Sequence, residues 1–472
     1  MKNVLVVILV VACLPVYSQQ SPKPNILFII VDDLRPELKV YGQSQIISPN
    51  IDKLGQQGLT FTNSFCNVPV CGASRASFLT GVRPTRTRFT VARTKADVDL
   101  PGHLSLPRYF KQNGYTTASI GKVYHFPNDD LSAWTTKYPI IVTKGGGEFM
   151  NADNIAAEKK NLGKDTGVIS RGPAFEIGEE SDDFLYRDGL LAKKAMAVLD
   201  TLKESKSPFF LAVGFFKPHL PFVSPKKYYD LYKRDELKLA PNQYVPKNAP
   251  YLSIANSGEL RQYSGVPKDR ILPDDYAISL KHGYYASISF VDAMIGEVLK
   301  KLDQLGLREN TIVILIGDHG WNLGEHTIWG KHHTYETAVR APLIISAPGF
   351  TKNKHSQSLA EFIDIYPTLT ELCGLEIPKH CQGKSLVPVL KNPQTEVKDE
   401  VFTHWRGGEG IHTKRYAYTE WTNPSTNKIQ AKMLYDLQKD KDENNNVVDN
   451  PEYKNIVDGL ANKIKESISI RE

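Results

Sequence analysis

Four runs of consecutive apolar residues, many of them β-branched, lie in the first two thirds of the chain: 25–31, 116–120, 209–216 and 311–316. Apolar residues without a polar alternation are typical of strands that are buried on both faces of a parallel sheet. Each run is followed, directly or after one glycine, by charged side chains. The pattern therefore predicts strands whose carboxyl ends carry the polar chemistry of the molecule.

Segments with helical periodicity separate these runs: Leu104 to Asn113, Phe184 to Glu204 and Ala277 to Leu305. The alternation of strands and helices predicts an α/β fold, in which helices cover both faces of a mostly parallel sheet. Two long polar segments, 126–183 and 217–276, interrupt the pattern. Loops of this length are usually functional or disordered, so we expect them to line a substrate cleft.

The pattern changes after about residue 390. Short strand-like runs lie at 400–405, 411–421 and 431–437, and an amphipathic segment over 453–468 follows them. This order predicts a small antiparallel sheet with a C-terminal helix. We therefore expect a catalytic domain over residues 24–390 and a smaller α+β subdomain over residues 391–472.

The N-terminal residues 1–18 are typical of a secretory signal, because the apolar run from Val4 to Ala12 is too short to span a bilayer. Ser18 supplies a small residue at one cleavage position. The stretch Val10–Cys13 is instead similar to a bacterial lipobox, which would leave a lipid anchor on Cys13. No other segment is long and apolar enough to cross a membrane. We expect an exported protein, periplasmic or secreted, with lipid anchoring at Cys13 as the alternative.

Composition and charge limit the kinds of molecule that the protein could bind. The 472 residues are 41% hydrophobic and 23% charged, with a net charge of +6, which is ordinary for a globular protein. The absence of a lysine-rich run with interleaved aromatic residues argues against a nucleic-acid partner. The modest positive charge is compatible with a polyanionic substrate without requiring one. In an exported protein, Cys373 and Cys381 are candidates for a disulfide.

Acidic side chains follow the first and the last apolar run. Asp32 and Asp33 follow the first run, and Asp318 and His319 follow the last. These groups should converge, since ligands of open α/β sheets bind beyond the carboxyl ends of the strands. Adjacent carboxylates are costly to hold together without a cation, although solvated turn residues are the alternative. Oxygen ligands favour Ca²⁺, or less strongly Mg²⁺, over Zn²⁺, whereas His319 could instead hydrogen-bond the site.

Cationic and imidazole side chains follow the two middle runs. Lys122 and His125 follow one, and His219 follows the other; Lys331 lies thirteen residues beyond Asp318. A single histidine at a strand end is more often a surface residue than a catalyst. Several such groups at one edge of a sheet favour proton-transfer chemistry.

Cys71 begins a helical segment in which Arg75 lies one turn later on the same face. A helix N-terminus carries unpaired N–H groups and a partial positive charge, so it attracts anions. On these residues alone, Cys71 is either an inert buried cysteine or a thiolate nucleophile.

The stretch Cys71–Gly81, C-G-A-S-R-A-S-F-L-T-G, resembles the signature of the type I sulfatases. The usual proline at its third position is Ala73 here, a variant that the family also carries. The stretches Asp32–Pro36, Gly121–His125, Lys217–Phe222 and Asp318–His326 are similar to the iduronate-2-sulfatase branch of that family. The resemblance implies an alkaline-phosphatase-like fold and a sulfuric ester hydrolase that acts on sulfated carbohydrate.

The resemblance also implies roles for the candidate residues. A maturation enzyme would oxidise Cys71 to formylglycine, whose hydrate is the nucleophile of the family. The implied Ca²⁺ ligands are Asp32, Asp33, Asp318, His319 and the modified Cys71. The implied sulfate-binding cations are Arg75, Lys122 and Lys331. His219 with Lys331 would protonate the leaving sugar oxygen, and His125 would accept a proton when sulfate is released.

The substrate is the least specified part of this interpretation. The branch resemblance suggests 2-O-sulfated uronic acid residues of a glycosaminoglycan or a similar polysaccharide. An algal polysaccharide sulfate is an alternative, as is a phosphonate or phosphodiester in the same superfamily. A non-catalytic carbohydrate-binding protein is the alternative from another class, which the full set of candidate catalytic residues disfavours.

Overall fold

A computed structural model describes residues 23–143, 147–161, 172–205, 207–254, 258–423, 425–426 and 428–471. The expected signal over residues 1–18 and Cys13 lie outside the described residues, so export and lipid anchoring stay predictions. None of the described helices combines the length and the apolar character that a membrane span requires.

The central sheet has eight strands in the order β12-β2-β11-β8-β1-β6-β3-β4. Its strands are β1 (Asn25–Val31), β2 (Leu59–Phe65), β3 (Thr116–Gly121), β4 (Thr136–Lys137), β6 (Phe209–Phe215), β8 (Thr311–Gly317), β11 (Leu343–Ser346) and β12 (Lys354–Glu361). The four predicted strands are confirmed as β1, β3, β6 and β8. They are adjacent and parallel at the centre of the sheet, so their carboxyl ends meet at one edge.

Helices cover both faces of this sheet, as the α/β pattern predicts. The helices are α1 (Pro49–Gln56), α2 (Cys71–Thr80), α3 (Ala96–Asp99), α4 (Leu106–Gln112), α5 (Ala152–Asn161), α6 (Arg187–Lys203), α7 (Lys226–Tyr229), α8 (Asp274–Gln304), α9 (Glu336–Val339), α10 (Ile365–Leu372), α11 (Val387–Lys391) and α12 (Lys454–Arg471). In β1, Leu27 and Ile29 pack in the core that contains α6 and α8. The alternate residues Ile26 and Phe28 pack in the opposite core with α2, α4 and α10. This two-sided burial explains why the run has no polar alternation.

A second, antiparallel sheet lies near the C-terminus, in the order β13-β14-β15-β16. Its strands are β13 (Val401–Trp405), β14 (Gly408–His412), β15 (Tyr416–Thr422) and β16 (Ile429–Asp436), and α12 packs against it. Two short pairs complete the strands, β5 (Phe175–Gly178) with β7 (Phe222–Pro225) and β9 (Asn322–Leu323) with β10 (Trp329–Gly330). The predicted domain boundary at residue 390 falls within α11, and the division itself stays a prediction.

Two local expectations differ from the structure. The run 411–421 is two strands rather than one, because the Thr413 hydroxyl accepts hydrogen bonds from the N–H groups of Arg415 and Tyr416 and so closes a turn between β14 and β15. Cys373 and Cys381 are both free thiols, so the structure contains no disulfide between them.

Candidate active site

The ends of the central strands and the start of α2 form one buried polar site. Asp32 and Asp33 follow β1, and Asp318 follows the neighbouring β8; all three carboxylates are fully buried. The Asp33 N–H donates to Asp318 Oδ1 at 3.0 Å, which fixes the two strand ends together. Asp33 has a left-handed backbone (φ 59°), and its carbonyl accepts a hydrogen bond from Tyr284. The hydrogen bonds of its N–H and its carbonyl hold Asp33 in this strained conformation, as is expected of a strained residue at a functional site.

Helix α2 brings Cys71 to the same edge. The helix begins at Cys71, after the extended residue Val70, and ends at Gly81, whose left-handed backbone (φ 70°) closes the last turn. All ten residues of the helix are buried. A Cβ at Gly72 would lie 2.1 Å from the carbonyl oxygen of Ala92, so only glycine permits this packing.

The Arg75 guanidinium, which is fully buried, links three of the strand ends. Its Nε donates to Asp318 Oδ2 at 2.9 Å, and its Nη2 donates to Asp32 Oδ1 at 3.2 Å. Its Nη1 donates to the carbonyl of Lys122. Charge-assisted hydrogen bonds of this kind are about twice as strong as neutral ones, so Arg75 orders the carboxylates.

The two adjacent carboxylates differ in their electrostatic environment. Burial by itself raises the pKa of Asp32, but Lys122 and Arg75, which both pair with it, hold its pKa well below the usual range. Burial raises the pKa of Asp33 despite the ammonium group of Lys331, 2.7 Å from its Oδ1. Asp33 Oδ2 is buried and has no hydrogen-bond partner among the described residues.

These residues fit a bound cation. Ligand atoms of Asp32, Asp33, Cys71 and His319 all lie within 4.8 Å of one another. The orphan oxygen of Asp33 supplies an open coordination position, and carboxylate oxygens are the ligands that Ca²⁺ prefers. Asp318, the fifth predicted ligand, is outside this group of four: its Oδ1 lies 3.5 Å from His319 Nε2, and its two oxygens accept hydrogen bonds from the Asp33 N–H and from Arg75 Nε.

The sulfur of Cys71 lies among these groups. Its Sγ is 3.2 Å from His319 Nε2 and 3.3 Å from Lys331 Nζ. Burial and the Asp32 carboxylate raise the pKa of the Cys71 thiol well above its usual range. A raised pKa disfavours the thiolate that a cysteine nucleophile requires. Of the two interpretations of an unmodified Cys71, the structure therefore disfavours the thiolate.

His219 and Lys331 share a carboxylate that sequence reasoning missed. Glu259 Oε1 lies 3.1 Å from His219 Nε2, and Glu259 Oε2 lies 3.5 Å from Lys331 Nζ. Glu259 belongs to the polar segment 217–276, which was expected to line the cleft. Beyond that expectation, nothing in the sequence around it distinguishes this glutamate from the others in the loop.

His125 completes the predicted set beside Lys122. Burial and the Lys122 ammonium lower the pKa of His125 to about 3. The imidazole is therefore neutral at physiological pH, but a pKa this low makes it a weak base while the Lys122 ammonium stays beside it. Its Nδ1 is buried and has no hydrogen-bond partner among the described residues.

The mostly parallel sheet with helices on both faces belongs to the alkaline-phosphatase-like fold class, and its buried carboxylates lie at the edge where such sheets bind ligands. More specifically, the chain belongs to the sulfatase family, whose model matches residues 24–375, and it is thus a sulfuric ester hydrolase. A second model, the C-terminal region of N-sulphoglucosamine sulphohydrolase, matches residues 324–469.

Individual relatives agree with this assignment. The mouse iduronate 2-sulfatase is 32% identical over 88% of this chain and 83% of its own length. The human iduronate 2-sulfatase is 34% identical over 76% of this chain and 70% of its own length. An ulvan-active sulfatase of Formosa agariphila is 29% identical over 96% of this chain and 83% of its own length. The solved phosphonate monoester hydrolase of Agrobacterium radiobacter is 21% identical, with a TM-score of 0.77 over 95% of this chain and 96% of its own, and this shows the fold.

Proposed function

We propose that the protein is an exported sulfatase of sulfated carbohydrate, with formylglycine at position 71 and Ca²⁺ at the carboxylate site. The single observation that supports this most is the position of Cys71. Its sulfur lies at the start of α2, in contact with His319 and Lys331, as a nucleophile facing an anionic ester requires. As a thiol it is a poor nucleophile here, so a modification is expected.

Two further groups complete the proposal, a cation and a modified residue 71. Ca²⁺ would be held by Asp32, Asp33, Asp318, His319 and position 71, and would supply positive charge to the sulfate oxygens. Formylglycine supplies, in its hydrated form, a hydroxyl nucleophile in place of the thiol. The remaining tasks belong to the side chains of this chain.

The cations prepare the site for an anion. Lys331 Nζ lies 3.3 Å from the Cys71 sulfur, next to the position of the proposed nucleophile. Lys122 and Arg75 neutralise the Asp32 carboxylate, so this carboxylate repels a sulfate ester less. These charges are fixed before substrate binds, which is the arrangement that stabilises a charged transition state most effectively.

Two histidines would move protons. His219 Nδ1 donates to the carbonyl of Leu220 at 2.6 Å, and its Nε2 lies 4.0 Å from Asp33 Oδ2. A sugar alkoxide is a poor leaving group, and His219 Nε2 with Lys331 would protonate its oxygen. His125 is neutral and would accept a proton during the release of sulfate.

The test of the mechanism is a change at position 71. The mass of the peptide that contains this residue reports the aldehyde directly. Cys71→Ala should lower hydrolysis of 4-nitrophenyl sulfate by at least a thousandfold while leaving the melting temperature near that of the wild type. Unchanged turnover in this variant would refute the mechanism.

The substrate proposal follows the relatives. The mouse and human enzymes are named for iduronate 2-sulfate, which supports 2-O-sulfated uronic acid residues as the first substrate. The ulvan-active relative supports an algal polysaccharide as the second. Rates on defined 2-O-, 4-O- and 6-O-sulfated oligosaccharides separate the two, and activity only on a non-uronate sugar would overturn the first.

A further inference from the structure

Glu259 is a partly buried carboxylate in the site, and the proposed reaction has no use for it. Its side chain is 14% exposed and contacts His219 Nε2 at 3.1 Å and Lys331 Nζ at 3.5 Å. Burial alone would raise the pKa of Glu259, but Lys331 and His219 hold it well below its usual range. The carboxylate is thus negatively charged where an anionic substrate must bind.

The position of the substrate follows from the same two cations. Lys331 Nζ is 3.3 Å from the Cys71 sulfur and contacts Glu259 as well. A tetrahedral ester that is attacked from position 71 and protonated by His219 must lie between these groups. Its oxygens then take over the contacts that Glu259 makes in this structure, and the carboxylate remains next to the bound anion.

We propose that Glu259 is a specificity-determining residue that selects singly charged sulfate esters over doubly charged oxyanions. This inference rests on the proposed function. A sulfate monoester carries one negative charge, whereas inorganic sulfate and, at pH 8, a phosphate monoester each carry about two. Coulomb repulsion from a neighbouring carboxylate grows in proportion to the charge of the bound anion. Glu259 therefore disfavours phosphate monoesters as substrates and inorganic sulfate as a retained product.

The same carboxylate competes with any incoming anion, since His219 and Lys331 already have a partner in the free enzyme. Substrate gains additional contacts through its sugar and through the leaving oxygen. Inorganic sulfate has neither, so it displaces Glu259 less effectively. Both effects act in the same direction and depend on the charge of Glu259 rather than on its shape.

The experiment compares two esters with the same leaving group in the full-length, calcium-loaded enzyme. For Glu259→Gln, we expect the ratio of kcat/KM for 4-nitrophenyl phosphate to that for 4-nitrophenyl sulfate to rise at least tenfold at pH 8. The Kd of inorganic sulfate, measured by calorimetry, should fall at least tenfold. Glu259→Ala removes the same charge and replaces the glutamine variant in both measurements if that variant does not fold. Glu259→Asp keeps the charge, so the kcat/KM ratio and the sulfate Kd should both stay within threefold of the wild type.

Glu37→Gln is the matched control. Glu37 is 13% exposed and pairs with Arg35 rather than with His219 or Lys331, so neither the ratio nor the Kd should change. If the charge-removing variants leave the ratio and the sulfate Kd unchanged, the inference is wrong. If the wild type hydrolyses neither the aryl sulfate nor the defined sulfated oligosaccharides, the proposed function fails, and the calorimetric Kd still tests the role of Glu259.

Discussion

At the scale of single residues, the orphan oxygen of Asp33 leads to a test for the metal. Because Asp33 Oδ2 is buried without a hydrogen-bond partner among the described residues, a bound cation should stabilise the native state. A ligand at a hundred times its Kd contributes about 2.7 kcal/mol to the free energy of unfolding. We predict that millimolar Ca²⁺ raises the melting temperature by a few degrees, that a chelator reverses the change and that Mg²⁺ acts more weakly.

Asp33→Asn should abolish most of this response, since the amide keeps the shape but not the charge. Asp230→Asn is the control, because the Asp230 side chain forms an exposed ion pair with Lys226, away from the carboxylate site. A calcium response of equal size in both variants would contradict the assignment of Asp33.

The residues of the site were predictable to the extent that each follows a strand directly. Asp32, Asp33 and Asp318 come straight after β1 and β8, and adjacent parallel strands must bring them together. Glu259 was not predictable, because it lies forty positions after His219, beyond β7 and α7. Its position depends on the tertiary path of that segment, for which the sequence has no periodic pattern.

At the scale of elements, the packing of α2 depends on Gly72. A methyl group there would meet the backbone carbonyl of Ala92, which cannot rotate away. We predict that Gly72→Ala lowers the free energy of unfolding by about 1–3 kcal/mol and lowers kcat, because the first turn of α2 carries position 71. Urea unfolding and turnover of an aryl sulfate measure the two effects.

Gly459 offers the opposite case within α12. A Cβ at Gly459 has nothing within 4 Å, so Gly459→Ala should raise the free energy of unfolding by about 0.5–1 kcal/mol and leave turnover unchanged. If both alanine variants behaved alike, close backbone packing at Gly72 would not be the cause.

The central elements followed from the apolar pattern more reliably than the outer ones. The four long runs became the four adjacent strands because burial on both faces allows only apolar residues. By contrast, β12 has two exposed residues at its start, and the short β11 is antiparallel to both of its neighbours. Pairing direction depends on how the chain returns to the sheet, and the apolar pattern carries no information on that.

At the scale of the whole molecule, one buried carboxylate connects the central sheet to the C-terminal segment. Glu361 lies at the end of β12 and is fully buried. It pairs with Lys398 at 2.7 Å and accepts a hydrogen bond from the N–H of Phe402 at 3.1 Å. It also pairs with Arg83, which follows α2. A single side chain thus links the nucleophile helix, the sheet and the start of β13.

This link should weaken in acid. Burial alone would raise the pKa of Glu361, but Arg83 and Lys398 lower it to about 2. A carboxyl group whose pKa is depressed in the folded state stabilises that state above its unfolded pKa, and the contribution is lost as the pH falls toward the folded value. The shift corresponds to about 3 kcal/mol at pH 7.

We predict that Glu361→Gln lowers the free energy of urea unfolding by about that amount at pH 7, and that the difference from the wild type shrinks by about 1 kcal/mol at pH 3.5. Glu236→Gln, which removes an exposed pair with Lys233, should show at most about 0.5 kcal/mol at either pH. A difference for Glu361→Gln that stays constant from pH 7 to pH 3.5 would mean that its charge does not hold the two parts together.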